Sequence, residues 1–383
     1  MTSRLSSSPA TDAQPLAVLF IPAVASNPYQ RLLAGALATQ GVRVRQVRAN
    51  RHLLLPLIEA ALILGRRPDV VHIHWTHRYL YWRRSPHVSR LLSRRLLMEL
   101  RLLRRAGLRI VWTMHNIAAH DRPDSYREMR VSRQILELCD VALVHCEAAR
   151  DQVVSTLELD RELRDRILVI PHANYIGTYP DRVERDEARE SMGIAADQKS
   201  FLFFGRIRRY KGGEELLEAF ARIPDRKTRL ILAGAVEESS LRAAVESTAQ
   251  RDDRVMLRLD HIADEDVQLY FRSADVAVLP FRDVLTSGSV ILAMSFGLPV
   301  IAPRLGCIPE TLGAGAESDE VAAAQAQLLY DPAVEDGLVR AMTSALEMDL
   351  PAIGRRNRQL VERIDWDEMA RLTIELAYLS NRK

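Results

Sequence analysis

The chain has 383 residues, 48% of them hydrophobic and 27% charged. That is long enough for two cores and too apolar for a disordered protein. Residues 1–180 hold 26 Arg, no Lys and 15 Asp or Glu, a surplus of about 11 that leaves about −8 for the remainder of a chain whose net charge is only +3.

The opening MTSRLSSSPATDAQP is Ser/Pro-rich with no apolar signal core, and residues 1–15 are expected to be a loose tail. Short apolar runs then alternate with helical patterns. LAVLFIP (16–22), VVHIHW (70–75), RIVWTMH (109–115), DVALVH (140–145) and ILVIPH (167–172) read as buried parallel strands. Between the second and third of these lies SPHVSRLLSRRLLMELRLLRRAGLR (85–109), a predicted basic helix. Val88, Leu92, Leu96 and Leu103 are expected on its core face, with Arg90, Arg94, Arg101 and Arg105 on another. The polar stretch 174–187 reads as a linker. A second series follows: SFLFFG (200–205), RLILAG (229–234), VMLRLD (255–260), DVAVLP (275–280) and PVIAP (299–303). Two blocks of strand–helix alternation predict an α/β protein of two doubly wound Rossmann-like domains facing a central cleft. The expected division is 16–178, 179–362 and a returning C-terminal helix at 363–383. No apolar run reaches the ~18 residues of a spanning helix. Cys139, Cys146 and Cys307 lack metal-ligand spacing, which fits a reducing cytoplasm, and they read as buried small hydrophobes in preference to a catalytic thiol.

Ligands of such sheets bind at the carboxyl ends of the strands, so the residues after each strand matter. GRIRRYKGGEELLEAF (205–220) places Arg206 and Lys211 around a short loop before a helix. Two cations near a helix N-terminus suit a diphosphate, although a solvated basic loop has the same composition. It is not a P-loop. Thr286-Ser287-Gly288-Ser289 opens an apolar helix: Ser287 and Ser289 can cap it, and Gly288 lets an anion approach the amides.

These two blocks, with SGSVILAMSFGLPVIAPRLGCIPE (287–310), resemble the C-terminal domain of GT-B glycosyltransferases of the group 1, or family 4, type. The resemblance implies that Arg206, Lys211, Ser287, Gly288 and Ser289 bind a donor diphosphate, that His261 and Ile262 edge the nucleobase, and that no metal is essential. The family pattern carries two glutamates where this chain has Leu292 and Val284; Asp283, one residue away, is the nearest candidate for their nucleoside contact. Asp264-Glu265-Asp266 matches a D-x-D metal motif, but Asp264 is better explained as the N-cap of the next helix.

The N-terminal half gathers His, Asn and aromatic residues at its strand ends. Asn27, Tyr29, His74, Trp75 and His172 are candidate acceptor contacts, while His72 reads as a core histidine. His-x-His raises zinc, yet no ligand set at a recognised spacing joins it. Inverting transfer needs a base for the acceptor hydroxyl. Asp121 is the first candidate, with His120 and His115 next. The expected function is transfer of a sugar from a GDP- or UDP-linked donor to a saccharide hydroxyl, on a lipid-linked glycan. No flavin, nicotinamide or metal cofactor is expected, and the charge of the basic helix is assigned to an anionic membrane surface rather than to nucleic acid. The protein is thus placed in the cytoplasm, peripherally at the inner face of the membrane. A nucleotide-sugar epimerase on the same fold and a non-catalytic partner subunit stay open as alternatives.

Overall fold

The computed structural model describes residues 14–24, 27–48, 55–63, 66–76, 86–117, 125–314 and 320–380. Among them twelve strands form two six-stranded sheets, parallel throughout. The first sheet uses β1 (Ala17–Ile21), β2 (Arg43–Gln46), β3 (Val70–Ile73), β4 (Arg109–Thr113), β5 (Val141–Val144) and β6 (Ile167–Val169), in the order β2-β1-β3-β4-β5-β6. The second uses β7 (Lys199–Phe204), β8 (Thr228–Ala233), β9 (Val255–Arg258), β10 (Val276–Val278), β11 (Val300–Pro303) and β12 (Leu329–Tyr330), in the order β12-β11-β10-β7-β8-β9.

All ten strands expected from apolar runs are present. They are legible because helices cover both faces of a parallel sheet, so its central strands are apolar throughout. The two unexpected strands lie at sheet edges. β2 reads RVRQ and is largely uncovered, and β12 has only two residues.

In each sheet the chain reverses its winding direction once, between β1 and β3 in the first and between β7 and β10 in the second. A crevice opens at the carboxyl ends of such strands. The polar stretch after β6 crosses to the second sheet, reaching the helix Arg185–Ser191. The C-terminal helix Trp366–Leu372, continuing to Tyr378, returns to the first domain. There Thr39 and Gln40 donate to Asp367, and Arg109 donates to the Ala377 carbonyl at 2.6 Å.

The cysteine expectation is corrected. Cys146 and Cys307 form a disulfide across 161 residues, joining the loop after β5 to the loop after β11, and Cys139 alone stays a free, buried thiol. The two cysteines belong to different domains and meet only when the domains pack. Beside this link the Glu310 carboxylate accepts the Glu147 and Ala148 amides, at 3.2 and 3.1 Å. Those amides open the helix Glu147–Thr156, where a carboxylate is favoured by the exposed N–H groups. Leu285 and Cys307 pack into the first domain's core.

The basic helix forms as Pro86–Arg105, with Leu96 and Leu103 buried and Arg90, Arg94, Arg101 and Arg105 exposed as expected, but its core face is rotated away from Val88. Leu96, Leu97, Leu100 and Leu103 are buried, whereas Val88 is exposed. Its single acid, Glu99, is wholly buried and accepts the Leu57 and Ile58 amides at 2.7 and 3.2 Å. This rotation leaves Leu91, Met98 and Leu102 uncovered. Among the described residues no helix is long and apolar enough to cross a membrane.

The disulfide closes a long loop, for which unfolded-chain entropy alone gives about 5 kcal/mol. Cys146→Ser should therefore melt well below the wild type, and dithiothreitol should lower the wild-type transition while leaving that of the variant unmoved. A wild-type melting curve insensitive to reductant would rule out the cross-link.

Candidate functional site between the two sheets

A cleft of about 390 Å³ lies where the two crevices face each other, within the range of small-molecule sites. From the second domain, Gly205, Arg206, Arg208 and Lys211 after β7 line it, with Thr286 to Ser289 after β10. Gly205 has φ +124 and Gly212 φ +73, both in the left-handed region. A side chain on Gly212 would also strike the Pro280 carbonyl, so glycine is required for the loop to lie against the β10 turn. An ideal Cβ on Gly205 would stand 3.4 Å from Lys211 Nζ and 3.5 Å from Ser289 Oγ, which shows how closely these two groups converge. Ser287 accepts the Val290 amide at 3.3 Å and caps the helix Gly288–Ser295, as its type and position suggested.

The electrostatics of this wall are strongly positive. Arg206 pairs with Glu237 at 3.0 Å, and Arg208 reaches the same carboxylate at 3.8 Å. Lys211 lies half-buried over the Phe281 ring, 5.6 Å from its centroid. Desolvation, then the Arg208 and Arg206 guanidiniums, bring its pKa down to about 8. Three cations around a helix N-terminus, one glutamate holding two of them, can bind a diphosphate.

The first domain contributes Asn27, Tyr29, Trp75, His115, Asn116 and His172. Asn27 also caps the helix Pro28–Thr39, its Oδ1 accepting the Tyr29 amide at 3.0 Å. Trp75 stacks on His115 at 4.3 Å and 12°. Tyr29 meets His115 edge-on at 4.8 Å. Behind this layer lie more imidazoles. His72 is buried with both nitrogens engaged, Nδ1 with Tyr378 Oη and Nε2 with Thr113 Oγ1, each at 2.7 Å. This is the core role expected of it. His145 Nδ1 donates to the Ile170 carbonyl at 2.8 Å, and His172 Nδ1 to the Ala173 carbonyl at 2.7 Å. Among the described residues no group of three or more His, Cys, Asp or Glu is placed to hold a metal ion.

Several expected site residues sit elsewhere. His74 is 1% exposed and lies behind the cleft wall rather than on it. His261 and Asp283 are exposed, Ile262 packs partly into the second domain's core, and none of the three lines the cleft. The turn after β10 directs apolar Val284 and Leu285 inward, which turns Asp283 out. Val284 and Leu292 therefore form an apolar patch of the cleft wall. The helix expected to start at Asp264 begins at Val267, with Asp266 at the cap position and no side-chain cap bond. Asp121 and His120 lie outside the described residues.

Tyr175, Tyr179, Phe204, Arg208, Tyr210 and Phe281 also line the cleft. Arg208 lies in the same loop as Arg206 and Lys211, and Tyr175 follows β6 shortly after His172. Nothing local marked Tyr179 or Phe204.

Burial keeps the imidazoles neutral. It lowers the pKa of His72 to about 3 and that of His145 to about 4, and holds His74 well below its ordinary value, with the neighbouring histidines adding to the effect on His72 and His74. The unfolded chain binds these protons near pH 6.5 and the folded chain does not. The stability is present above that pH and lost as pH falls through it. Between pH 6.5 and about 4.5 the unfolding free energy should drop by up to about 1.4 kcal/mol per pH unit for each such imidazole. Urea unfolding at pH 7 and pH 5 measures this, and equal stability at both would show that the cluster is hydrated and charged.

Comparison with known proteins agrees with this fold. Residues 198–349 match the family model of glycosyl transferases group 1. Over 257 residues the chain is 28% identical to a GDP-mannose:glycolipid 4-beta-D-mannosyltransferase of Xanthomonas campestris pv. campestris, covering 65% of this chain and 66% of that protein. It is 28% identical over 209 residues to a D-inositol 3-phosphate glycosyltransferase of Corynebacterium kroppenstedtii, covering 52% and 46%. The matches thus span less than two thirds of these relatives' lengths. A sucrose-phosphate synthase from Thermosynechococcus elongatus superimposes with a TM-score of 0.72 at 21% identity, over 94% of this chain and 98% of the other. The Anabaena protein HepE, solved in complex with UDP and glucose, gives 0.70 at 15% identity over the same shares. The chain has the GT-B fold, and its residues 198–349 are similar to the glycosyl transferases of group 1.

Proposed function

We propose that the protein is a glycosyltransferase that moves a sugar from a GDP- or UDP-linked donor to a hydroxyl of a saccharide acceptor, lipid-linked, in cell-surface glycan or polysaccharide synthesis. One observation carries this reading. Within a single cleft, a cationic loop and a capped helix N-terminus face a wall of aromatic and imidazole side chains. The first wall suits a nucleotide diphosphate, and the second suits a sugar ring and its hydroxyls.

In the reaction, the acceptor oxygen attacks the anomeric carbon while the bond from that carbon to the phosphate oxygen breaks. The nucleotide diphosphate leaves with an added negative charge. Arg206, Lys211 and the amides at Ser287–Ser289 stabilise that charge, so no proton donor to the leaving group is needed. The acceptor proton goes to Asp121, or in its place to His120 or His115. Asn27, Trp75 and His172 hold the acceptor. The glycolipid acceptor and GDP-mannose donor named for the Xanthomonas relative support a lipid-linked acceptor and a GDP donor, and the UDP complex of HepE supports UDP.

The basic helix gives the membrane reading a concrete surface. Leu91, Met98 and Leu102 recur at spacings of seven and four and form an uncovered apolar stripe, with Leu91 68% exposed. Arg94, Arg101 and Arg105 repeat the same spacing three residues on, so the two stripes run side by side. Apolar side chains beside guanidiniums suit the boundary between anionic headgroups and acyl chains.

Calorimetric titration with UDP and GDP tests the donor site. One nucleotide should bind, and Arg206→Ala should weaken it by at least ~1.5 kcal/mol, as for a charged hydrogen bond. Because Lys211 titrates near 8, affinity should fall toward tenfold as pH rises from 7 to 9, where a lysine of that pKa loses its charge. Absence of binding by either nucleotide would overturn the transferase reading.

Sedimentation with anionic vesicles tests the helix. Replacing Leu91 and Met98 together by Ser should weaken vesicle binding at least tenfold, on the order of the loss of two apolar anchors. Equal binding of both forms would remove this helix from the membrane reading.

A further inference from the structure

We infer that Tyr175 is a further ligand-binding residue of the cleft, its hydroxyl donating to the phosphate that carries the sugar of a nucleotide diphosphate donor. The identity of that ligand rests on the transferase reading. The residue itself lies outside both loops so far assigned to phosphate.

Tyr175 belongs to the segment after β6 that crosses between the domains. It is 6% exposed and lines the cleft. Both of its ends are set on the helix Gly288–Ser295. Its amide donates to the hydroxyl of Ser295, the last residue of that helix, at 2.9 Å. Its own hydroxyl reaches the first residue, since an ideal Cβ on Gly288 would stand 3.1 Å from Tyr175 Oη. The ring thus runs back along the helix and delivers its oxygen to the N-terminus. Gly288 does not take the left-handed backbone that calls for glycine; what a side chain there would push aside is this hydroxyl.

The hydrogen bonds of Tyr175 among the described residues run through its backbone, to Ser295 Oγ and from the Thr178 amide at 3.0 Å, and none through its hydroxyl. A tyrosine hydroxyl buried this far normally has a partner. Here the partner has to come from the cleft, and the surroundings select its charge. At the helix start the Ser287 hydroxyl accepts the Val290 amide, while the Gly288 and Ser289 amides precede the first bond of the helical ladder. Those amides and Lys211 favour an anion. Burial, with a smaller contribution from Tyr179, holds the phenol above its ordinary pKa, so it keeps a proton to donate.

The placement of the ring selects the phosphate. Lys211 Nζ and Ser289 Oγ converge at Gly205, within the second domain. Tyr175 arrives from the segment joining the domains, with its ring 5.6 Å from that of His172 on the facing wall. A sugar must lie between the walls to meet an acceptor held on the first domain. The phosphate bearing that sugar is therefore the one beside the tyrosine. As its bond to the anomeric carbon breaks, charge builds on this phosphate, where a fixed neutral donor stabilises it.

Calorimetric titration of the full-length protein and of Tyr175→Phe with GDP, GMP, UDP and UMP tests the inference. The variant keeps the ring and loses only the hydroxyl. For the base that binds, the diphosphate should weaken about tenfold, as for a hydrogen bond to a charged group, and the monophosphate should stay within about twofold. Loss of an unpartnered hydroxyl should leave the melting temperature at or above that of wild type. A variant that binds the diphosphate as tightly as wild type overturns the inference, and so does an equal loss for monophosphate and diphosphate. A variant that melts clearly below wild type, or fails to fold, would show the hydroxyl bonded within the fold and overturn it too. In each of these cases nucleotide binding by wild type leaves the transferase reading standing. Wild-type protein that binds none of the four overturns that reading, and this inference with it.

Discussion

A parallel sheet wound in two directions leaves a crevice at the carboxyl ends of the strands on either side of the reversal, because the connections there part to opposite faces. This chain makes that reversal twice, beside β1 and beside β7, and sets the two crevices against each other. Everything at the site follows from that meeting. The glycines of the loop after β7 bring cations in from one side. The ends of β3 and β4 bring rings in from the other. Neither half encloses a ligand alone, so the chemistry belongs to the pair.

The two walls differ in how they handle charge. The second domain concentrates cations and holds them partly unneutralised, with one glutamate shared between two guanidiniums. The first domain surrounds the opposite side with imidazoles that burial keeps uncharged. Charged imidazoles would have repelled the cationic loop across the gap. Neutral ones give an aromatic, hydrogen-bonding wall that leaves the field of the loop aimed at an anionic ligand.

Much of this was legible in the sequence, and the reason lies in locality. Ten strands announced themselves by apolar runs, since residues buried on both sides tolerate little else. The loop 205–213 was legible because its glycines, cations and helix start are neighbours along the chain. What stayed hidden depends on contacts between distant segments. The partners Cys146 and Cys307 are in different domains. The inward turn of Val284 and Leu285, which excludes Asp283 from the cleft, is decided by packing, Val284 in the second domain's core and Leu285 in the first domain's. The rotation of the basic helix is set by Glu99 reaching the amides of Leu57 and Ile58, a bond that no helical periodicity announces. His74 was taken for a surface contact because it lies at the end of a strand, where one residue of register separates a cleft-facing side chain from a buried one.

The ties between the domains have a kinematic consequence. Near the chain crossings, Asn174 donates to the Val361 and Ile364 carbonyls, which binds linker and C-terminal segment into one joint. At a second place Cys146–Cys307 and the Glu310 contact with the Glu147 and Ala148 amides form another. Two rigid bodies pinned at two points keep a single rotational freedom, about the line through the pins. A relative movement of the two domains that keeps both ties is confined to that one coordinate, as a door is to its hinge. Swinging changes the gap between the cationic loop and the imidazole wall without sliding one across the other.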